Sequence, residues 1–301
     1  MGTIGLTHQT RVLDKGYVEY RGHTGSDRDV DVAARVSHYN RAFEKEEAKR
    51  KPEERTRLLR FLRRKRHTTP YERPKLVVRL YAPVFVARQL FRHRTGTFQE
   101  QSLRYEISGG DFYIPDASRV SKRPPNVKQG SGAAMDPAKA EEIRNLILAH
   151  SEAGQRLYAR LVTREEDGGE FELAPELGRM VLPQNLYVLW EMDFNLHNWF
   201  HLLGLRMKPD AQWETRQYAE AIAAYIKAFF PECYRAFVDY QLEARTMSRM
   251  EVSILRRILL SEGIAANLPN LLQTYGGGEL SEMSESERKD FIALLAPMGG
   301  T

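Results

Sequence analysis

A single cysteine, Cys233, is all the thiol chemistry available in 301 residues. That excludes an internal disulfide framework and any metal site built on several thiolates. Long apolar runs are missing too, since no stretch approaches the roughly 20 consecutive apolar residues of a membrane span. Met1 to Thr10 has no basic start followed by an apolar run, so it does not read as a secretory signal. A soluble, cytoplasmic protein with no membrane contact is the expectation. Gly276-Gly277-Gly278 is not followed by Lys-Ser or Lys-Thr and is therefore no phosphate-cradling loop. No grouping of His, Cys, Asp and Glu shows ligand spacing, so no metal is expected. Wholesale disorder is excluded as well: 42% of the residues are apolar and 28% charged, an ordinary globular balance.

What the chain has in plenty is arginine, which far outnumbers lysine and leaves a net charge of +5. Guanidinium groups offer planar, bidentate donors to phosphates and flat heterocycles. A mild basic excess suits nucleic acid, nucleotides or phosphorylated cofactors alike.

Apolar spacing sketches the elements. Arg11 to Glu19 reads as a short hairpin or edge strand around a Lys15-Gly16 turn. Helices are expected over Asp27 to Ser37 and Pro52 to Arg64, the latter with proline and glutamates in its first turn and arginines at its end. Lys75 to Tyr81 and Asn185 to Phe194 read as strands, and Val84 to Phe91 as a short helix beyond Pro83. Thr95 to Val127 reads as a long loop. Pro137 to Arg164 has the period of a long amphipathic helix, and further helices are expected through Met180, over His197 to Leu203 and over Asp210 to Phe230. The tail shows a helix around Ile254 to Leu260, a break at Gly276 to Gly278 and a polar helix near Ser284 to Leu295. One α/β domain over 1–244, a sheet flanked by helices, with a helical C-terminal extension over 245–301, accounts for the pattern.

The densest polar segment is Arg92 to Tyr105, RHRTGTFQEQSLRY. It is joined to the apolar run VFVARQLF and carries no lysine, the usual exposed filler. Arg92, Arg94 and Arg104 can hold phosphate, while Gln99, Glu100 and Ser102 can read the polar edge of a base. The segment resembles the signature of flavin-dependent thymidylate synthases, RHRxxSxNExSxRY, with Thr97 in place of the serine and Gln99 in place of the asparagine. Further blocks resemble that family in order: Val12 to Gly16, Ala34 to Ser37, His67 to Glu72, Ala82 to Arg94, Phe112 to Pro115, Val181 to Pro183, Asn185 to Tyr187, Leu205-Arg206 and Ala211-Gln212-Trp213-Glu214. Together they cover roughly residues 11 to 240.

The resemblance implies the single-domain α/β fold of that family and a homotetramer with active sites shared between subunits. It also implies FAD as cofactor, with NADPH and 5,10-methylenetetrahydrofolate as co-substrates, and dUMP or UMP as acceptor. Carried over by position, Gln89, Arg92, Glu100, Gln101, Ser102, Leu103, Arg104 and Arg179 would hold the nucleotide. Arg206 would bind the uracil and activate it. Ser37, His67, Thr69, Arg92, His93, Arg94, Glu100, Asn195, His197 and His201 would contact FAD, some of them from neighbouring subunits. At Leu103 a glycine is common in the family, and at Asp210 a histidine. His197 and His201 stand where other branches have arginine and asparagine.

Elementary chemistry points the same way. Methylating C5 of uracil requires electron density pushed onto that carbon. A cysteine attacking C6 is one route, but Cys233 in FPECYRAF has no motif around it, and a lone buried thiol is inert. A guanidinium beside N3 and O2 is the other, stabilising the anion formed as N3 loses its proton. Arginine remains protonated, so Arg206 would act as an electrostatic stabiliser and not as a base. The expected function is reductive C5-methylation of a uridylate, dUMP first. Two alternatives stay open: a UMP C5-methylase of a nucleoside-antibiotic pathway, and more remotely a basic nucleic-acid-binding protein. For the second, Arg55 to Arg66 (RTRLLRFLRRKR) and the Arg92 to Arg104 cluster would grip backbone phosphates; the first run reads rather as the solvated face of an amphipathic helix, so no nucleic acid is expected.

Overall fold

The computed structural model describes residues 8–36, 47, 49–104, 110–125, 130–262 and 264–295. The chain separates into two compact units, Met1–Leu242 and Glu243–Thr301.

The first unit is built on a five-stranded antiparallel sheet in the order β1-β2-β3-β5-β4. β1 (Gln9–Val12) and β2 (Gly16–Thr24) form the expected hairpin, and β2 runs five residues past Glu19. Its turn uses Leu13 at φ 59°, and Gly16 is required beyond it: a Cβ there would lie 1.9 Å from the Tyr218 hydroxyl. β3 (Lys75–Pro83) and β5 (Tyr187–Asn195) are the long central strands, paired from Lys75 opposite Asn195 to Pro83 opposite Tyr187. β4 (Thr97–Glu100) lies inside the segment read from sequence as loop, and pairs with β5 from Asp193 to Trp190. Four residues with a single partially buried side chain, Phe98, give too short an alternation to be seen in sequence.

Alternation decides which face is core. Leu76, Val78, Leu80 and Ala82 of β3, with Val188, Trp190, Met192 and Phe194 of β5, are fully or almost fully buried on one face. The other face is half-buried. There Arg79 bridges Glu191 (2.7 Å) and Glu19 (3.5 Å), and Arg21 bridges the same two carboxylates.

Helices cover the apolar face. α1 (Asp27–Arg35) and α2 (Pro52–Arg64) precede β3, and α3 (Val84–Leu90) follows it, starting where Pro83 ends the ladder. Outside that layer, α4 (Pro137–Val162) begins at Asp136, whose carboxylate accepts from the N–H groups of Ala138 and Lys139. α5 (Pro175–Gly178) is a single turn, continued by a 3-10 turn over Arg179–Val181. α6 (Leu196–Arg206) leaves β5 directly, and α7 (Trp213–Phe229) and α8 (Pro231–Phe237) complete the layer. Asp27 accepts hydrogen bonds from the Glu232 and Cys233 N–H groups, 3.0 Å each, tying the start of α8 to α1. Burial, with the Asp27 charge beside it, pushes the Cys233 thiol well above its ordinary pKa.

The basic run on α2 is not the solvated face that its composition suggests. Arg55 reaches buried Asp31 and Glu47, Arg60 pairs with Asp239, and Arg63 stacks on Phe200 with its guanidinium carbon 4.9 Å from the ring centre. Three guanidinium groups are thus committed within the fold.

In the second unit, α9 (Arg249–Ser261) opens with a capping box between Ser248 and Glu251. α10 (Ile264–Tyr275) occupies a stretch for which sequence patterning gave no element, and Gly276 separates it from α11 (Gly277–Glu282). α12 (Glu285–Leu295) follows, and Arg256 of α9 donates to the Leu294 and Ala293 carbonyls.

Candidate active site

The apolar run that ends in α3 delivers the RHR segment to the end of α6. Gln89 and Leu90 close α3, His93 N–H donates to the Leu90 carbonyl, and the chain turns into β4. Gly96 makes that turn possible, because a Cβ there would lie 1.6 Å from the buried Phe194 ring. His93 is 6% exposed, whereas Arg92 and Arg94 on either side reach solvent. Against it stands Arg206, the last residue of α6. Arg206 Nε donates to His93 Nε2 (3.1 Å) and Nη2 donates to the Gln89 carbonyl (3.0 Å). The Gln89 amide in turn donates to Gln212 Oε1, at the N-cap of α7. Burial, together with the Arg206 and His201 charges, draws the His93 pKa down to about 4, so the ring is neutral near pH 7. Burial also lowers the pKa of Arg206, which remains a cation.

Arg206 and Gln89 line a cavity of about 750 Å³. Much of its remaining lining comes from residues to which sequence reasoning gave no role. Glu214, 7% exposed, accepts from the Tyr113 hydroxyl and from Arg119 Nη2, 3.3 Å each. Arg119 lies over the Trp213 ring at 4.5 Å. Tyr113 is fixed because its N–H donates to the Asn185 carbonyl while Asn185 Nδ2 donates to the Tyr113 carbonyl and to Ser151 Oγ. The signal was in the sequence: the FYIP and AQWE blocks belonged to the resemblance, without a role attached. Asp210 also lines this cavity.

The remaining expected nucleotide residues gather along β4 and α5. Glu100 ends β4, and burial raises its carboxyl pKa while Arg88 and Arg179 pull it back. Gln101 N–H continues the ladder to the Leu189 carbonyl, Ser102 Oγ accepts from Arg104 N–H, and Leu103 packs on the core. Arg104 Nη2 donates to Glu176 (3.2 Å), and Arg179 Nε donates to the Glu176 carbonyl.

Of the residues expected at the flavin, Ser37 lies outside the described residues. His67 is exposed and stacked on Phe61, and Thr69 opens the 3-10 turn Thr69–Glu72. Asn195 caps α6 by accepting from Asn198 N–H. His197 and His201 follow one turn apart on α6, and His201 lies edge-on to His93 at 5.7 Å. Burial, with Arg63 nearby, lowers the His197 pKa, and its buried Nδ1 has no protein partner among the described residues. Arg92 and Arg94 likewise form no ion pair among the described residues. Uncommitted guanidiniums and an unpaired imidazole nitrogen fit an anionic, ring-bearing dinucleotide such as FAD. Among the described residues no cluster of three His, Cys, Asp or Glu could hold a metal ion, and no helix is long and apolar enough to cross a membrane.

The architecture and the motif can be compared with known proteins. A family model described as thymidylate synthase complementing protein matches residues 20–232. The chain belongs to that family. The flavin-dependent thymidylate synthase of Thermus thermophilus is 40% identical over 274 residues, which span 91% of this chain and 94% of the relative. The flavin-dependent thymidylate synthase of Anaplasma marginale (strain St. Maries) is 36% identical over 294 residues, covering 98% of this chain and 92% of the relative. Among solved structures, the UMP/dUMP methylase PolB from Streptomyces cacaoi bound with 5-Br dUMP is similar with a TM-score of 0.67 at 27% identity, over 77% of this chain and 99% of that one. The same methylase bound with 5-Br UMP gives 0.65 at 28% identity, over 77% and 97%. The mixed α/β fold of the first unit is thus the family's fold.

Proposed function

We propose that the protein catalyses flavin-dependent reductive C5-methylation of a uridylate, dUMP to dTMP. FAD would be the bound cofactor, with 5,10-methylenetetrahydrofolate as one-carbon donor and NADPH as reductant. The observation that carries this reading is the state of Arg206. Its Nε and Nη2 are held by His93 and Gln89, while Nη1 has no protein partner among the described residues and the residue lines the cavity. A half-buried guanidinium with one edge fixed and the rest open is suited to the N3 and O2 edge of a pyrimidine. Held there, it stabilises negative charge on the ring and so enriches C5, without a covalent thiol adduct. Cys233 is fully buried with a raised pKa, which argues against the thiolate route.

A reduced flavin, when bound, would supply the hydride that reduces the transferred one-carbon unit to a methyl group, so that the folate leaves unoxidised. The chain's own contribution is to bind, orient and polarise. Arg92, Arg94, His197, His201, Asn195, Thr69, His67 and Ser37 are proposed to hold the flavin. Arg104, Arg179, Ser102, Gln101, Leu103, Glu100 and Gln89 are proposed to hold the nucleotide, with active sites shared between subunits of a homotetramer. Within the chain, residues 1–244 would form the catalytic domain and 245–301 a helical extension. UMP is the second acceptor to consider, because the similar structures are of a UMP/dUMP methylase. The test is a side-by-side assay of dUMP and UMP with FAD, NADPH and 5,10-methylenetetrahydrofolate supplied. Formation of dTMP is expected; absence of C5-methylated product from both nucleotides would reject the reading. Arg206→Ala should lower turnover by about 10²–10³-fold while flavin absorbance is retained.

A further inference from the structure

We propose that His93 is the positioning residue of Arg206, a neutral lone-pair acceptor that fixes the guanidinium for the pyrimidine while leaving its charge intact. The inference rests on the uridylate reading above and deepens it. Arg206 Nε lies 3.1 Å from His93 Nε2. An arginine N–H can only donate, so Nε2 must offer its lone pair, and the ring is neutral with its proton on Nδ1. Together with the Nη2 bond to the Gln89 carbonyl, this contact holds two nitrogens of the planar group and stops it turning about its own axis. The Gln89 amide is itself tied to Gln212, so the second anchor is supported from α7.

The surroundings keep that acceptor uncharged. His93 is 6% exposed. From α6 it faces His201, 5.7 Å away between ring centres, and Arg206 itself; in its own segment Arg92 and Arg94 flank it. Burial, Arg206 and His201 each oppose a proton on His93. Protonation would remove the lone pair and set two cations side by side. A carboxylate in the same place would also accept the Nε–H bond, but its charge would offset that of Arg206 and weaken the pull on the pyrimidine. Imidazole satisfies both requirements: it accepts, and it does not neutralise.

The probe is 5-bromo-dUMP, and the measurement is the pH at which its N3 ionises when bound, read by ultraviolet difference spectroscopy. Wild-type protein should lower that pH relative to the free nucleotide. His93→Ala should lose most of the shift and lower kcat by about 10- to 100-fold, the scale of a misplaced catalytic group. His93→Gln keeps a neutral acceptor, and should retain most of the shift and turn over faster than His93→Ala. Should His93→Ala fail to fold, His93→Leu, close to histidine in volume and without an acceptor, takes its place. A full shift in the acceptor-free variant, or His93→Gln no better than it, would overturn the inference while the uridylate reading stands. No shift in wild type would overturn the inference, and absence of C5-methylated product from both dUMP and UMP would overturn the uridylate reading beneath it.

Discussion

At the scale of single residues, the site depends on how two polar side chains share a small desolvated space. Arg206 ends a helix of buried residues, Trp199, Phe200, Leu202 and Leu203 among them, so its backbone is rigid and its guanidinium alone remains to be aimed. Cys233 is the opposite case. It packs at 0% exposure beside Asp27, and burial suppresses its thiolate. Cys233→Ala is therefore expected to leave kcat unchanged while removing about 1 kcal/mol of stability, checked by steady-state assay and thermal melting. A dead but folded variant would return the thiolate route to consideration.

At the scale of elements, β4 shows how a short strand can matter more than its length suggests. Its four residues carry Glu100 to the sheet edge, and Gly96 lets the chain pass over the Phe194 ring before pairing begins. Gly96→Ala would force that ring or the strand aside, since the added methyl would lie 1.6 Å from it. The expected cost is about 1–3 kcal/mol. It should appear as a lowered melting temperature together with weaker uridylate binding measured by calorimetry. Loss of stability with unchanged nucleotide affinity would show that β4 does not place the binding residues.

At the scale of the whole molecule, the candidate residues gather in groups on different elements. Arg206, His93 and Gln89 meet where α6 ends, whereas Arg104 and Arg179 both engage Glu176 at α5. If an assembled site draws one group from one subunit and the other from its neighbour, two inactive variants should rescue each other. Mixing Arg206→Ala with Arg104→Ala, after dissociation and reassembly, is expected to restore turnover above either parent. No recovery in the mixed assemblies would place both groups in one subunit.

Periodicity alone determined both central strands, α2, α4 and α7, because each is long enough for its burial pattern to repeat, while the Lys15-Gly16 turn marked the hairpin. The RHR segment was legible as well, since its density of hydrogen-bonding groups beside an apolar helix is a local property. Other features came only with the tertiary structure. β4 was hidden because pairing with β5, and not its own four residues, makes it a strand. The inward turn of Arg55, Arg60 and Arg63 depends on Asp31, Glu47, Asp239 and Phe200, which no local pattern brings near. The bond from Arg206 to His93 spans 113 positions. A sequence specifies which groups can donate and accept; which of them meet, and with which proton in place, is decided by the packing that brings distant segments within about 3 Å of each other.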